Sequence, residues 1–544
     1  MKVVQDGQYN IGHICTRWQC DNGRADKIAL RLLRADGSLR VQWSFADLDR
    51  RSNQFANVLR ELGFRPGDVL FTFLPRCEEQ FVVFLGALKA QVVIGTLFAN
   101  FGEEALLDRL GDARARGLVT RSSLYRKIRR IRGSLPDLSS VMLIDGPIPP
   151  DSGLLDYHAL LAEMSADFAV PPTPPDMPSV LHYTSGSTGK PKGVQHVHRS
   201  VLHQSETMHE VFNLLEDDRY WCTAEQGWVT GTSYGIIGPW SLGVTQVQYE
   251  GGYEPRRWFD ILAGERVNVW YTSPTALRML MQEDPELFRR VELSALRHIF
   301  SVGEPLNPEV VAWGRRVLDR DVHDTYFQTE TGGIMVANRP QLPIRPGSMG
   351  MPVASVEAAV IDDAGEVIDD PQRVGNLCVR QGWTSMFVAY LNREDEYRRR
   401  FRNTWYYTGD QVYRDADGYF WFVGRADDVI NTAGHLISPF EIESALLEIA
   451  EIAEAAAVAI PDSILFEKVA AFVKVRPGIC ASAELELKIR LHVSNRVSTI
   501  ATPQVLRFVD SIPKNKSGKI MRRVLRATLT GEDPGDLSTK EDTP

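Results

Sequence analysis

The sequence predicts an α/β protein that has a large N-terminal domain and a small C-terminal α+β domain. From residue 26 to about residue 170, short apolar runs alternate with amphipathic helical patterns, which is typical of parallel sheets wrapped by helices. After Gly347, strand-like runs indicate an antiparallel or β-barrel-like part of the large domain. The pattern changes again after residue 426, and a chain of 544 residues exceeds one hydrophobic core.

The first elements follow from apolar spacing and turn residues. An Asp36-Gly37 turn separates two strands, and Ser44 is a candidate N-cap for a helix that Gly63 ends. The most apolar window, residues 81–101, is interrupted by charged and amide side chains, so it predicts a buried helix and a strand rather than a membrane span. We predict strands at residues 28–33, 41–45, 69–73 and 92–95, and a helix at residues 81–90.

The later part of the chain divides at two places. Residues 171–175 are rich in proline and predict a stiff linker on the surface. We assign residues 1–426 to the large domain, residues 427–530 to the small domain, and the polar, acidic residues 531–544 to a disordered tail. In the small domain we predict helices at residues 441–450 and 483–496 and strands at residues 455–460, 469–475 and 505–509.

Composition excludes several classes of partner. The net charge of −9 argues against binding to nucleic acid or to an anionic membrane. The six cysteines form no C-x-x-C pair and do not cluster with histidines, which fits reduced thiols in a cytoplasmic protein. A signal peptide is not expected, because no charged and then apolar leader opens the chain.

Residues 183–193 predict a phosphate-binding loop. They contain three glycines, two lysines and four serine or threonine hydroxyls directly after a strand-like run. Glycines let successive N–H groups form an anion-binding nest. Pro191 excludes the G-x-x-x-x-G-K-[ST] pattern, and the alternative is a flexible loop between two elements. The candidate residues are Thr184, Ser185, Gly186, Ser187, Thr188, Gly189, Lys190 and Lys192.

With this loop, later motifs resemble the adenylate-forming superfamily, which contains acyl-CoA synthetases, luciferases and the adenylation domains of peptide synthetases. Within the superfamily, residues 227–231 and 328–335 are most similar to acetyl-CoA synthetases and their short-chain relatives. The resemblance spans roughly residues 26–529. The later motifs lie at residues 301–306, 324–333, 407–410, 424–428 and 513–519.

The resemblance implies that ATP activates a small carboxylic acid to an acyl-adenylate, with release of pyrophosphate, before transfer to coenzyme A. Such a reaction needs Mg²⁺ and lysines to neutralise charge on the phosphates. The resemblance implies catalytic roles for Lys519, Glu330 and Thr184, with Glu330 as the Mg²⁺ ligand. A solvated basic helix face is the alternative for Lys519.

The resemblance also assigns the nucleotide site and a moving part. Asp410 would accept the ribose hydroxyls, with Arg425 near the sugar or a phosphate, although an Asx turn is an alternative for Asp410. The small domain would be mobile about Asp427 and would bring the loop at Gly434 to the pantetheine arm of coenzyme A. The remaining nucleotide-site candidates are Gly303, Glu304, Pro305, Asp324, Thr325, Tyr326, Phe327, Gln328 and Thr329.

Four residues would surround the carbon chain of the acid. Relatives have Trp where this chain has Phe327, so the resemblance implies room for acetate or propionate but not for octanoate. Leu436 stands where the family usually has Arg, and the arginines around the coenzyme A nucleotide have no clear counterparts. Two other functions therefore stay open, a ligase that loads a carrier-protein phosphopantetheine and a nucleotide-binding regulator without turnover. The predicted pocket residues are Val229, Thr230, Val302 and Phe327.

Overall fold

A computed structural model describes the protein over most of its length. The described residues are 4, 7–146, 148, 151–184, 190–289, 291–426, 428–432, 435–462, 465–515, 519–534, 537 and 540. Within them, the strands form a 14-stranded sheet, an 8-stranded sheet and a 5-stranded sheet. The first two belong to the part of the chain before residue 426, and the third belongs to the part after it.

The large domain alternates strands and helices. Its described strands are β1 (Ile28–Leu33), β2 (Leu39–Ser44), β3 (Val69–Phe73), β4 (Val93–Leu97), β5 (Gly117–Thr120), β6 (Ser140–Leu143), β7 (Leu155–Asp156), β8 (Pro178–Thr184), β9 (Lys192–Val197), β10 (Arg219–Cys222), β11 (Thr245–Tyr249), β12 (Val269–Thr272), β13 (His298–Val302), β14 (Val322–Tyr326), β15 (Val336–Ala337), β16 (Ser348–Pro352), β17 (Ala358–Ile361), β18 (Gly375–Arg380), β19 (Ala389–Tyr390), β20 (Phe401–Arg402), β21 (Trp405–Arg414) and β22 (Phe420–Arg425). Its described α-helices are α1 (Ile11–Ile14), α2 (Arg17–Gln19), α3 (Phe45–Glu61), α4 (Glu78–Lys89), α5 (Glu103–Asp112), α6 (Ser122–Ile131), α7 (Tyr157–Glu163), α8 (Ser200–Glu210), α9 (Val229–Thr232), α10 (Gly238–Ser241), α11 (Pro255–Gly264), α12 (Pro274–Leu280), α13 (Glu286–Arg289), α14 (Pro308–Trp313) and α15 (Glu394–Arg399).

The largest sheet combines a parallel and an antiparallel part. Strands β14, β13, β12, β10, β11 and β1 are parallel neighbours in that order, and β2 closes the edge beside β1. The strands after Gly347 are antiparallel and continue the other end of the sheet through β16, β22, β21, β18 and β17. The predicted change from parallel to antiparallel strands is therefore confirmed.

The second sheet carries the candidate phosphate loop. Strands β8, β4, β3, β5, β6 and β7 are parallel, whereas β9 returns antiparallel beside β8 and β19 pairs with β9. Because β8 ends at Thr184 and β9 begins at Lys192, the loop residues connect two adjacent strands at one end of the sheet.

Local signals fix several element ends. The Ser44 side chain accepts a hydrogen bond from the Asp47 backbone N–H, so Ser44 is the N-cap of α3 as predicted. The Asp47 carboxylate in turn accepts a hydrogen bond from the Ser44 N–H, which completes a capping box. Helix α4 begins at Glu78, three residues before the predicted start at residue 81. Glu78 and Glu79 stabilise the positively charged N-terminus of the helix, and the prediction missed them because it followed only the apolar residues.

The proline-rich segment is not a free surface linker. The Thr173 side chain is buried and accepts hydrogen bonds from Asn10 and Gln91. Its backbone N–H donates to the Gln8 side chain. The predicted surface position is correct for Pro172 and Pro174, which are exposed, but the buried Thr173 between them ties the segment to the large domain.

The small domain packs helices on one mainly antiparallel sheet. Strand β22 ends at Arg425 and the first small-domain strand begins at Ile430, on either side of the predicted boundary. Its described elements are β23 (Ile430–Thr432), β24 (His435–Ile437), α16 (Pro439–Leu447), β25 (Ile452–Asp462), β26 (Phe466–Val475), α17 (Ala483–Arg496), β27 (Val505–Phe508) and α18 (Arg522–Thr530).

Two further predictions concern the C-terminal tail and a possible membrane span. Of the predicted tail, residues 531–534, 537 and 540 belong to the described part, and the others lie outside it, so its disorder stays a prediction. In the described part of the chain, none of the helices combines the length and apolarity that a membrane span requires.

Candidate active site

A cavity of about 560 Å³ lies where the two domains meet. Ligands of open α/β sheets bind beyond the carboxyl ends of parallel strands. The loops after β10, β12, β13 and β14 all line this cavity, as do residues of the small domain. The predicted site residues that line it are Thr184, Lys192, Val229, Thr230, Val302, Gly303, Glu304, Pro305, Asp324, Thr325, Tyr326, Phe327, Gln328, Thr329, Glu330, Asp410, Arg425 and Lys519.

The other predicted site residues either do not line the cavity or lie outside the described part of the chain. The Lys190 ammonium is on the surface, 3.9 Å from the Asp108 carboxylate, and Lys190 is not among the residues that line the cavity. Seven candidates lie outside the described residues, and their roles stay predictions: Ser185, Gly186, Ser187, Thr188, Gly189, Asp427 and Gly434.

Asp410 is the centre of a polar network. It lies inside strand β21, paired with Arg425 of β22, so the alternative of an Asx turn is wrong. Its Oδ2 atom accepts hydrogen bonds from the Tyr326 hydroxyl and from Gln328 Nε2, the latter at 2.8 Å. The Arg425 guanidinium is 3.4 Å from Oδ1. Burial, and then the Asp410 charge, raise the pKa of Tyr326 well above its usual value, so this phenol stays a hydrogen-bond donor.

Glu304 and Asp324 form a second polar group at the ends of β13 and β14. The Thr275 hydroxyl is 2.7 Å and 2.9 Å from the two Glu304 carboxylate oxygens, and Arg278 forms an ion pair with the same carboxylate. Asp324 is buried, and burial raises the pKa of its carboxyl well above the usual range although the Thr325 N–H donates to it. Arg278 was not predicted, because nothing in its local sequence connects it with Glu304.

Lys519 reaches the cavity from the small domain. Lys514 and Ile520 form an isolated antiparallel bridge, and the Lys519 N–H donates to Asn515 Oδ1 at 3.0 Å. Lys519 is an exposed residue, and it lines the cavity. Desolvation by the nearby protein, and then the Arg425 charge, lower the pKa of Lys519, and the Asp410 and Asp428 carboxylates oppose this shift. The predicted lysine therefore faces the same space as Asp410.

Glu330 is the candidate Mg²⁺ ligand. It is 9% exposed, and its Oε1 atom accepts a hydrogen bond from the Tyr390 hydroxyl at 2.7 Å. Oε2 accepts no hydrogen bond from any described residue. No cluster of three or more His, Cys, Asp or Glu side chains suited to a metal occurs in the described part of the chain. A single carboxylate that lines this cavity still fits Mg²⁺, which is commonly held by one or two carboxylates, waters and substrate phosphates.

The predicted acid pocket combines residues from three elements. Val229 and Thr230 begin α9, and Val302 ends β13. Phe327 follows β14 and packs edge-on against Tyr234, with a centroid distance of 5.3 Å. All four predicted pocket residues line the cavity, so Phe327 is both a packing residue and a wall residue.

Sequence reasoning missed residues that act through distant partners. Tyr390 binds Glu330 across 60 residues of sequence, and Asn307 donates to Ser444 of the small domain at 2.8 Å. Arg522 begins α18 and binds both oxygens of the buried Glu443 carboxylate, at 2.6 Å and 2.7 Å. The two partners of each pair are far apart in sequence, so no short motif contains both of them.

Two family models match the chain. The model described as "AMP-binding enzyme" matches residues 16–391, and "AMP-binding enzyme C-terminal domain" matches residues 441–519. The chain belongs to the AMP-binding enzyme family. The resemblance predicted from the motifs is thereby confirmed.

Similar curated proteins align with this AMP-binding enzyme over almost its full length. An acetyl-coenzyme A synthetase of Bacillus subtilis (strain 168) is 41% identical, over 98% of this chain and 93% of the relative. An acetyl-coenzyme A synthetase of Pyrobaculum aerophilum is 36% identical, over 92% of this chain and 79% of the relative.

Solved structures of acid–CoA ligases share the fold. An anthranilate CoA ligase in complex with anthranoyl-AMP superposes with a TM-score of 0.88 at 28% identity, covering 97% of this chain and 99% of the other. A Brucella canis acyl-CoA synthetase superposes with a TM-score of 0.74 at 34% identity, covering 95% and 94% of the two chains. The predicted α/β fold of this AMP-binding enzyme is confirmed.

Proposed function

We propose that this AMP-binding enzyme joins a short-chain carboxylic acid, such as acetate or propionate, to coenzyme A. ATP first converts the acid to an acyl-adenylate with release of pyrophosphate, and the acyl group then passes to the thiol of coenzyme A, giving acyl-CoA and AMP. The observation that carries the proposal is the single cavity lined by Lys519 of the small domain and by Glu330, Asp410 and Thr184 of the large domain. The near-full-length similarity to acetyl-coenzyme A synthetases supports it.

The first step is an in-line displacement at phosphorus. A carboxylate oxygen of the acid attacks the α-phosphate, and the bond to pyrophosphate breaks. Asp410 holds the ribose hydroxyls through Oδ1, because Oδ2 already accepts hydrogen bonds from both Tyr326 and Gln328 and each carboxylate oxygen has about two lone pairs. Lys519 stabilises the charge that develops around phosphorus. Glu330 would hold a bound Mg²⁺ ion, which would help to neutralise the charge on the phosphate oxygens.

The second step requires a different arrangement of the same chain. Hinge motion at Asp427 withdraws Lys519 and presents the loop at Gly434 to the pantetheine arm. The large domain keeps the acid pocket formed by Val229, Thr230 and Phe327.

We also infer a cytoplasmic location, because all six cysteines of the chain are free thiols.

A carrier-protein phosphopantetheine is the second candidate acceptor. Leu436, which stands where relatives have Arg, is 50% exposed on β24. An exposed apolar residue in this position suits a protein surface better than a nucleotide phosphate.

Acid-dependent exchange between ATP and labelled pyrophosphate tests the proposal. A panel of acetate, propionate, butyrate and octanoate is assayed with and without coenzyme A, and acyl-CoA is quantified by chromatography. We expect exchange with the two- and three-carbon acids in the absence of coenzyme A, and acyl-CoA when it is present. No exchange with any acid would contradict the adenylation step. Exchange without acyl-CoA would favour the carrier-protein acceptor.

A further inference from the structure

The turn that carries Glu330 is held by one segment of the chain, residues 383–390, which we call the bracket. The Thr331 carbonyl accepts hydrogen bonds from Trp383 Nε1 at 2.9 Å and from the Ser385 hydroxyl at 2.6 Å. The Glu330 carbonyl accepts one from the Phe387 N–H at 3.0 Å. The backbone of the Glu330 turn is therefore fixed at two consecutive carbonyls.

Tyr390 ends the bracket and binds the carboxylate itself. Its ring is buried, with 2% of its surface exposed, and its hydroxyl donates to Glu330 Oε1 at 2.7 Å. Arg400 lines the same cavity, and although burial opposes it, the nearby Tyr406, Tyr390 and Glu330 raise the pKa of this guanidinium. Tyr390 thus joins Glu330 within a cluster of buried polar groups.

The same tyrosine contacts the strand that leaves the phosphate loop. Strand β19 pairs with β9, and Tyr390 is opposite Val194. The Lys192 ammonium, at the start of β9, lies 5.5 Å from the centroid of the Tyr390 ring and also pairs with Glu396. One rigid side chain therefore contacts both the candidate metal ligand and a candidate phosphate ligand.

A glutamate carboxylate turns easily about its last torsion, because this torsion joins a tetrahedral carbon to a planar carbon. A hydrogen bond to Oε1 removes this freedom and fixes the direction of the Oε2 lone pairs. On the basis of the proposed function, we propose that Tyr390 is a positioning residue that orients Glu330 toward a nucleotide-bound divalent cation. Loss of the phenol hydroxyl leaves the acid pocket intact and weakens the metal site.

The test compares Tyr390→Phe with Tyr397→Phe. Both tyrosine rings pack against Phe387, at centroid distances of 5.0 Å and 4.9 Å, so the second variant controls for a lost phenol in the same aromatic cluster. Binding of Mn²⁺ in the presence of a non-hydrolysable ATP analogue is measured by electron paramagnetic resonance. Outer-shell partners of metal ligands typically affect metal affinity by about 10- to 100-fold. We expect an affinity loss in this range for Tyr390→Phe and less than twofold for Tyr397→Phe.

Kinetics give an independent measurement. In pyrophosphate exchange, the Mg²⁺ concentration for half-maximal rate should rise by about tenfold or more in Tyr390→Phe, while KM for the acid stays within twofold of wild type. Ser385→Ala, which removes one bracket contact without touching the carboxylate, should change Mn²⁺ affinity by less than threefold. Unchanged affinity in Tyr390→Phe, or an equal loss in Ser385→Ala, would overturn the role of the phenol. If the wild type showed no exchange, the proposed function would be wrong. The Mn²⁺ measurement would still show whether Tyr390 orients Glu330.

Discussion

Phe327 packs against the hydrophobic core and also lines the cavity. Its edge-on contact with Tyr234 belongs to the core of the large domain, while its other side lines the cavity. The Tyr234 hydroxyl in turn accepts a hydrogen bond from the Ile334 N–H at 2.7 Å, so the aromatic wall is anchored to the backbone beyond the Glu330 turn. We propose that a wall fixed in this way limits the length of the acid.

Phe327→Gly should move the preference toward longer acids, and Phe327→Trp should sharpen it toward acetate. Each methylene that a pocket accepts or rejects changes discrimination by about 1–3 kcal/mol, so the ratio of kcat/KM for butyrate over acetate should change at least tenfold. The measurement is kcat/KM for a series of two- to eight-carbon acids. A chain-length profile that is unchanged in Phe327→Gly would refute the assignment of this wall.

Lys519→Ala should lower adenylate formation by about two orders of magnitude or more, because it removes a main electrostatic contact at the reacting phosphorus. Thioester formation from supplied acyl-adenylate and coenzyme A should keep its rate, since that step is assigned to another orientation of the small domain. Rapid-quench measurement of each half-reaction separates the two. Equal losses in both, with an unchanged thermal midpoint, would contradict the role of Lys519.

Residues that belong to short motifs could be predicted, and residues that act through distant partners could not. Lys519, Glu330 and Asp410 each lie in a short sequence motif of glycines and polar residues, and all three line one cavity. Tyr390 stands between apolar residues and has the composition of an ordinary strand. Only the fold brings its hydroxyl to Glu330, because their contact depends on the pairing of β19 with β9.

At the scale of elements, the long helices α3 and α4 meet through a buried ion pair. Lys89, which interrupts an otherwise apolar window of the sequence, is fully buried and donates to the Asp49 carboxylate and to the Asn53 side chain, each at 2.7 Å. Burial lowers the pKa of Lys89 to about 8, although the Asp49 charge opposes this shift. The residue that made the window unfit for a membrane thus joins two helices in the core.

The Lys89 pair predicts a dependence of stability on pH. Between about pH 8 and the ordinary lysine pKa of about 10.4, the unfolded chain binds more protons at this position than the folded chain, so the contribution of Lys89 to the free energy of unfolding rises with pH. Lys89→Met removes this contribution and leaves Asp49 without its partner, which costs about 3–5 kcal/mol.

The thermal midpoint of Lys89→Met should therefore be lower than that of wild type at pH 7.5, and the gap should widen toward pH 10. Differential scanning calorimetry of the full chain measures this gap. Lys488→Met is the matched control at an exposed lysine, whose ammonium pairs with Glu451 on the surface. If the difference in thermal midpoint between wild type and Lys89→Met narrowed as the pH rose, the lowered pKa assigned to Lys89 would be wrong.

At the scale of the whole molecule, polar contacts between described residues join the small domain to the large domain beside the cavity. Asn307 donates to Ser444 of α16, and Arg278 donates to Asn307 Oδ1 at 3.0 Å while pairing with Glu304. The Ser438 hydroxyl, which caps α16, donates to the Val423 carbonyl. A chain of hydrogen bonds therefore runs from the candidate nucleotide site to the small domain.

Asn307→Ala should slow adenylate formation by up to about tenfold, because one hydrogen bond contributes about 0.5–1.5 kcal/mol to this orientation. The thioester half-reaction should not slow. Ser444→Ala should have an equal or smaller effect, because Asn307→Ala also removes the acceptor of the Arg278 hydrogen bond. The double variant should be no slower than Asn307→Ala alone, since the contact between the two side chains is already lost in that variant. Fully additive losses in the double variant would mean that the two side chains act separately.

The order of strands in the largest sheet also governs how the chain can assemble as it is made. Leu30 of β1 pairs with Gln246 of β11, which is translated roughly 200 residues later. At about 5–20 residues per second, the ribosome leaves this apolar strand without its parallel neighbour for roughly 10 to 40 seconds. During that interval β1 has only the β2 hairpin to cover one edge. The growing chain therefore carries an open strand edge that invites chaperone binding until β11 emerges.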